Sequence, residues 1–459
     1  GYINARVSPE IIEKDDRIAD LVVHVDEGDQ FRVGRIEFEG NTRTRDKVLR
    51  RELRIHEGLV LSLQRIQNSL LKIKQLGYFN VDEADPVQIV NVDDEEKTID
   101  VIIKGVEADR TELQFGGGWS EFDGFFGQMS VRTQNFLGRG ETLGVSFQSG
   151  RTRDFFDLSY FIPWFLDRPQ SFGVQAFSRE TNFGALLQDR RLRRSEAGGS
   201  VTYGRSFGLF NSVSLSYLRT KIKDEQTIFV TNTETGEIET RELDLSFTQS
   251  ALRPVYQYNS IDSPFEPTRG SKIRLSVDYA GGFLGATQSF YRPDLTLTRY
   301  QPVTKGRIKT VLGLNARAGL IEPFDDYQLS LLDRFFLGGD STVRGFSFRD
   351  ISVLNDDGTR RKDSTGFFNV GGDKYLQFNL EYHFLTNGPF RFLLFGDAGG
   401  VFDEDQSFDF GKLRYSAGIE VRVLLPLFGA PLRFIYATNL DPLPDDNFDS
   451  FDFTIGASF

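Results

Sequence analysis

Apolar and polar residues alternate with two different periods along this chain. Within the first 110 residues, Leu63, Ile66, Leu70 and Ile73 recur every three or four positions, which is helical spacing. Ser62, a residue type that caps helix N-termini, precedes them. A second helix is expected from Thr44 to Leu53. Strands are expected at Phe31–Glu39 and Thr98–Val106, the latter with Ile99, Val101 and Ile103 on one face. The predicted order is β-α-α-β-β. An internal echo accompanies it: "GYINARV" at Gly1 resembles "GYFNVDE" at Gly77, and alternating strands follow at Ala19 and Lys97. The echo predicts that residues 1–29 are the C-terminal part of a truncated module and that 30–107 form a complete copy. The upstream part, with any signal peptide, is then expected to lie outside this sequence.

After Glu107 the period becomes two. From Thr111 to Phe459 there are about sixteen strand-like runs and no amphipathic helix. Ile273, Leu275, Val277 and Tyr279 share one face, and Lys272, Arg274, Ser276 and Asp278 the other. From Leu413 to Val423 an apolar face opposes one carrying Arg414, Ser416, Glu420 and Arg422. The last run sets Phe451, Phe453, Ile455, Ala457 and Phe459 against Asp452, Thr454, Gly456 and Ser458.

Alternation alone suits both a soluble sandwich and a membrane barrel, whose apolar face meets lipid. Many runs reach about ten residues, the span of a tilted membrane strand. Links after even-numbered runs are short, at Leu137, Phe207, Thr386 and Leu427. Several after odd-numbered runs are long: Asp224–Thr240, Ile321–Gly371 and Asp403–Phe410. Short turns on one side and long loops on the other mark an outer-membrane barrel. The predicted fold is therefore mainly β: a 16-stranded antiparallel transmembrane β-barrel over 108–459, with an N-terminal periplasmic α+β module. An even count returns both barrel ends to the short-turn side, so the segment after the eleventh run emerges outside.

Composition narrows the chemistry. The chain has 459 residues, 44 Phe, 45 Gly and no Cys, with a formal net charge of −12. Without cysteine there is no disulfide and no thiolate metal site. The negative balance argues against a nucleic-acid partner. His24, His56 and His383 match no metal or catalytic-triad spacing, so no cofactor, metal or catalytic residue is expected. His383 has the parity of Glu381 and is expected in the lumen. An enzyme, such as a barrel phospholipase, has the least support, since no nucleophile or phosphate-binding motif occurs.

Several motifs carry a family resemblance: "EGN" at Glu39, "LGYF" at Leu76, "DSPFEPTRG" at Asp262, "RFFLGGDSTVRGF" at Arg334, "FGDAGGVFD" at Phe395 and the terminal Phe459. Together they resemble the BamA family, central subunits of the bacterial outer-membrane β-barrel assembly machinery, over essentially the whole chain. The resemblance implies that 30–107 is a POTRA domain in the periplasm and that the chain inserts and folds β-barrel proteins in the outer membrane. It implies as partners nascent outer-membrane proteins, accessory assembly lipoproteins and periplasmic chaperones met through POTRA, and outer-membrane lipid. It also implies that Val343, Arg344, Gly345 and Phe346 fold back into the barrel, where Arg344 meets Glu381 and Asp397. Parity independently places both acids on the polar face of their strands. Arg360 and Arg361, in the same segment, are expected to matter less. A lateral seam is implied between the first and last barrel strands, at Phe115, Gly116, Gly117, Gly118, Gly456 and Phe459. The alternatives are a two-partner-secretion-type exporter and a TamA-like assembly or translocation subunit.

Overall fold

The computed structural model describes all residues except 1, 3, 16–17, 83, 109–110, 121–123, 183–191, 232–237, 264–266, 305–308, 331, 363–368, 387, 424–430, 447, 449 and 456–459. Gly1–Glu112 with Arg132–Leu143 form one compact unit, and Leu113–Val131 with Gly144–Phe459 form another.

In the N-terminal unit, β1 (Arg6–Asp15) and β2 (Ile18–Asp26) make an antiparallel pair. There follow β3 (Arg32–Glu39), α1 (Asp46–Arg50), α2 (Leu63–Gln75), β4 (Phe79–Val81), β5 (Val87–Asp93) and β6 (Thr98–Glu107). Strand β6 is central: β3 runs parallel to it, and β4 and β5 antiparallel. Ile99, Val101 and Ile103 are fully buried against Phe31, Ile36, Leu49, Ile73 and Phe79. The Ser62 hydroxyl accepts from the Arg65 amide at 3.4 Å and starts α2.

Helix α1 is shorter than Thr44–Leu53: Arg45 is extended at φ −65° and ψ 136°, and the Glu52 and Leu53 amides bond to Leu49 and Arg50 in a tighter turn. The Glu107 carboxylate accepts from the Arg43 amide at 2.9 Å, the Thr42 hydroxyl at 2.9 Å and the Thr44 amide. Burial alone would push this carboxyl up; the bonds from Thr44, Arg43 and Thr42 outweigh it and bring its pKa from 4.5 down to about 2. A lowered folded-state pKa stabilises above the unfolded value and is lost as pH falls from 4.5 toward 2. Protection of the Arg43 and Thr44 amides against hydrogen exchange is therefore expected to fall across that window. Glu107→Gln should abolish the pH dependence; an unchanged profile in that variant would reject the assignment.

From Thr111 onward the strands form a closed antiparallel barrel of sixteen strands. The first half runs β7 (Thr111–Ser120), β8 (Gly124–Phe136), β9 (Glu141–Gly150), β10 (Arg153–Ile162), β11 (Gln170–Asn182), β12 (Leu192–Phe207), β13 (Asn211–Thr231) and β14 (Ile238–Asn259). Then come β15 (Gly270–Ala280), β16 (Phe290–Thr304) and β17 (Lys309–Leu320). A two-residue strand, β18 (Glu322–Pro323), opens the long loop and pairs with β16. The wall resumes with β19 (Lys374–Leu385), β20 (Phe390–Phe402), β21 (Arg414–Val423), β22 (Leu432–Asn439) and β23 (Phe451–Ile455). Closure brings β23 next to β7.

Burial is inverted relative to a water-soluble protein. On β21, Arg414, Ser416, Glu420 and Arg422 are buried, while Ile419 is 52% exposed. On β22, Arg433 is buried and Tyr436 exposed; on β19, Glu381 is buried and Leu380 exposed. An apolar outside and a charged inside fit a barrel whose outer solvent is hydrocarbon. No described helix is long and apolar enough to cross a membrane.

Two length expectations need correction or restriction. Asp224–Thr240 is mostly strand and not a long loop: β13 and β14 stay in register from Asn211↔Tyr258 to Thr231↔Ile238. The β-branched run Thr227, Ile228, Val230 and Thr231 favours extension, and ladder pairing continues past the span a bilayer needs. The short link at Leu427 lies outside the described residues.

Candidate functional site

The loop between β17 and β19 folds into the barrel and carries a core of its own. Leu337, Val343, Phe346, Ile351 and Val353 are buried together with Tyr375 and Val401 of the wall. The Phe346 ring meets Phe448 edge-on, with centroids 5.2 Å apart. Gly345 turns the chain between these anchors at φ +91°, where a side chain is disfavoured. A Cβ there would collide with the Phe448 ring and lie 2.7 Å from Ala437 Cβ.

Arg344 is 1% exposed, yet satisfied in every direction. Its Nε and Nη2 form a fork on the two Asp397 oxygens, both at 2.7 Å, and its amide adds a third bond to Asp397 at 3.1 Å. Its Nη1 donates to Glu381 at 2.8 Å and to Glu420 at 2.7 Å. The guanidinium lies 3.8 Å above the Phe395 ring centroid, and Phe395 occupies space that Gly418 leaves on the next strand. Asn379 completes the Asp397 site with a bond of 2.9 Å and holds the Thr342 carbonyl at 2.7 Å.

Two further arginines close the network. Arg422 donates to Glu420 at 2.6 Å and to Glu381 at 2.7 Å. Arg433 donates to Glu420 at 2.7 Å and reaches the loop carbonyl of Asp340 at 3.2 Å. His383 Nε2 lies 2.9 Å from Glu381 Oε2, inside the lumen. Three guanidinium groups thus balance three carboxylates, which lets charges persist where an isolated one could not. This arrangement fixes a loop to a wall.

The structure therefore brings Arg344 together with Glu381 and Asp397. Glu420, Arg422 and Arg433 were not singled out, although Glu420 and Arg422 have the parity of the charged face of β21. Arg433 sits between outward Leu432 and Phe434, and the same two-residue period exposes it as inward. The expectation for Arg360 changes. It is buried, with Asp350 at 2.7 and 2.8 Å and Asp446 at 2.6 Å, because the loop's outer half packs against residues before β23. Arg361 pairs with Asp403 at 2.8 Å and stays partly open.

Of the seam residues, Phe115 is exposed and strand β7 runs through Gly116, Gly117 and Gly118. Gly456 and Phe459 lie outside the described residues.

Comparison with known proteins gives the family. Residues 31–107 match the POTRA profile described as a surface antigen variable number repeat. The outer membrane protein assembly factor BamA of Nitratidesulfovibrio vulgaris is 24% identical, over 100% of this chain and 55% of its own length. BamA of Neisseria meningitidis is 25% identical, over 100% of this chain and 60% of its own. The mouse sorting and assembly machinery component 50 homolog is 26% identical over 57% of this chain and 50% of its own. The chain thus spans little more than half the length of the curated relatives that cover it fully. Among solved structures, BamA of Haemophilus ducreyi lacking POTRA domains 1–3 shares the fold, with TM-score 0.72, 23% identity and coverage of 100% and 90% of the two chains. CdiB from Acinetobacter baumannii shares it more distantly, with TM-score 0.59, 15% identity and coverage of 100% and 79%. Residues 135–459 match the Omp85 superfamily domain, and the chain belongs to that superfamily.

Proposed function

We propose that this chain inserts and folds β-barrel proteins into the bacterial outer membrane, with its POTRA region in the periplasm. The observation that carries this reading is the Arg344 network, which holds the long loop in the lumen of the barrel. Opposite β23, strand β7 contains three consecutive glycines, which contribute no side-chain packing. A seam between β7 and β23 that parts sideways offers free N–H and C=O groups to an incoming strand. Inside a bilayer no water can satisfy those groups, so a template lowers the barrier to insertion. No side chain needs to do covalent chemistry. The assembly names of the relatives support this reading over export through the lumen, which requires the loop to leave. Nascent outer-membrane proteins are the clients; accessory lipoproteins and periplasmic chaperones are the partners met through POTRA.

The test uses the absence of native cysteine. A cysteine pair placed across β7 and β23 forms the sole disulfide. In liposomes holding this protein, client insertion should fall to background when the pair is oxidised and recover on reduction. Insertion at the reduced rate in the oxidised state would sink the seam mechanism.

A further inference from the structure

A groove of about 690 Å³ crosses the outer face of the wall from β15 to β21. Two cross-strand rows line it. Arg299, Leu314, Leu380, Gly396 and Ala417 are in register on β16, β17, β19, β20 and β21. Leu297, Ala316, Phe378, Ala398 and Tyr415 form the neighbouring row on the same face. Leu314 and Leu380 are 44% and 47% exposed, so this face looks outward. The wall is bulky over β17 and β19 and small over β20 and β21, where Gly396, Ala398 and Ala417 leave a depression. A Cβ on Gly396 would meet nothing within 4 Å. From β16 to β21 the row crosses four strand spacings, about 19 Å.

Arg299 breaks this apolar surface. It is exposed on the lipid-facing side, five residues before the end of β16 at Thr304, on the short-turn side of the barrel. Its Nη1 donates to the Ser271 hydroxyl at 3.0 Å and its Nη2 to the Gln301 amide oxygen at 3.1 Å. Both partners are neutral, and among the described residues no carboxylate pairs with Arg299. A guanidinium facing lipid is stable when it reaches the headgroup level or meets an anion. A phosphate matches its planar fork, and the depression beside it matches an acyl chain in shape and polarity.

We propose that this groove binds one anionic glycerophospholipid, with its phosphate on Arg299 and Ser271 and one acyl chain laid over Gly396 toward Ala417. The strands it covers carry Glu381 and Asp397 on their opposite face, so lipid and loop grip the same segment of wall from two sides. The site rests on the membrane-barrel fold and is independent of whether the chain assembles other proteins.

Native mass spectrometry of the full chain in detergent, titrated with dioleoyl phosphatidylglycerol, tests it. One lipid should be retained per chain. Arg299→Gln should weaken retention about tenfold, as expected for loss of a charged hydrogen-bond donor. Gly396→Leu fills the depression, leaves Arg299 in place and should weaken retention by a similar factor. Val174→Ala, on the exposed face of β11, should change nothing. Excess inorganic phosphate should not displace the lipid. Equal retention by the native chain and Gly396→Leu overturns the proposal, and so does displacement by phosphate alone. Should Arg299→Gln fail to give the folded gel band, Gly396→Leu and the phosphate competition still decide.

Discussion

Arg344→Ala is expected to destabilise the barrel by about 3–5 kcal/mol, the usual cost of removing one partner from a buried ion network. The variant leaves Glu381, Asp397 and Glu420 facing only Arg422 and Arg433. Asp397 suffers most, since it loses both side-chain bonds from Arg344 and keeps only the main-chain amide bond from that residue. Arg344→Lys should recover only part of the loss, because an ammonium cannot fork onto Asp397 while also reaching Glu381 and Glu420. The readouts are the temperature at which the folded gel band converts to the unfolded one, and protease cleavage within the loop. Arg361→Ala is the comparison, with an expected cost within about 1 kcal/mol for a partly exposed pair. The buried Arg360 is not a neutral control. A double variant, Arg344→Met with Asp397→Asn, should be less destabilised than Arg344→Ala, because it leaves two guanidinium groups facing two carboxylates. Equal midpoints for Arg344→Ala and Arg361→Ala would reject the anchoring role.

Gly345→Val is expected to cost about 2–6 kcal/mol, combining left-handed backbone strain with overpacking of roughly 1–3 kcal/mol each. Its Cβ has nowhere to go, with the Phe448 ring on one side and Ala437 on the other. The clash would push the loop off the wall and lengthen the Arg344 bonds next to it. Phe448→Ala combined with Gly345→Ala separates the two causes. It removes the ring collision and keeps the cost of φ +91°. The pair should therefore recover part of the loss from Gly345→Ala alone. A Gly345→Val chain with native stability and an uncut loop would show that this approach is not required.

The barrel was legible because its two-residue period is imposed by hydrocarbon on one side and water or loop on the other. That period sets Glu381 against Leu380 and Asp397 against Leu394. It equally points Glu420 and Arg433 inward, but parity says which face a residue takes and not which neighbours it meets. Those neighbours depend on the path of the loop, and nothing local in its sequence specifies that path. The core formed by Leu337, Val343 and Ile351 lies in a stretch without regular period, so the period did not show its burial; for Val343 only the family resemblance implied it. Helix α1 was overestimated because its ends are set by main-chain geometry that side-chain period does not show: Arg45 is extended, and Glu52 and Leu53 close a tighter turn.

The network also has a mechanical consequence. Glu381, Asp397, Glu420 and Arg433 stand on four consecutive strands, β19 to β22, and the loop ties them into one block. A ring braced over a quarter of its circumference does not flex evenly. Deformation imposed by the bilayer is transmitted through the stiff arc and taken up beyond it. The block acts as a door jamb, and its free side, beyond β22, begins at β23.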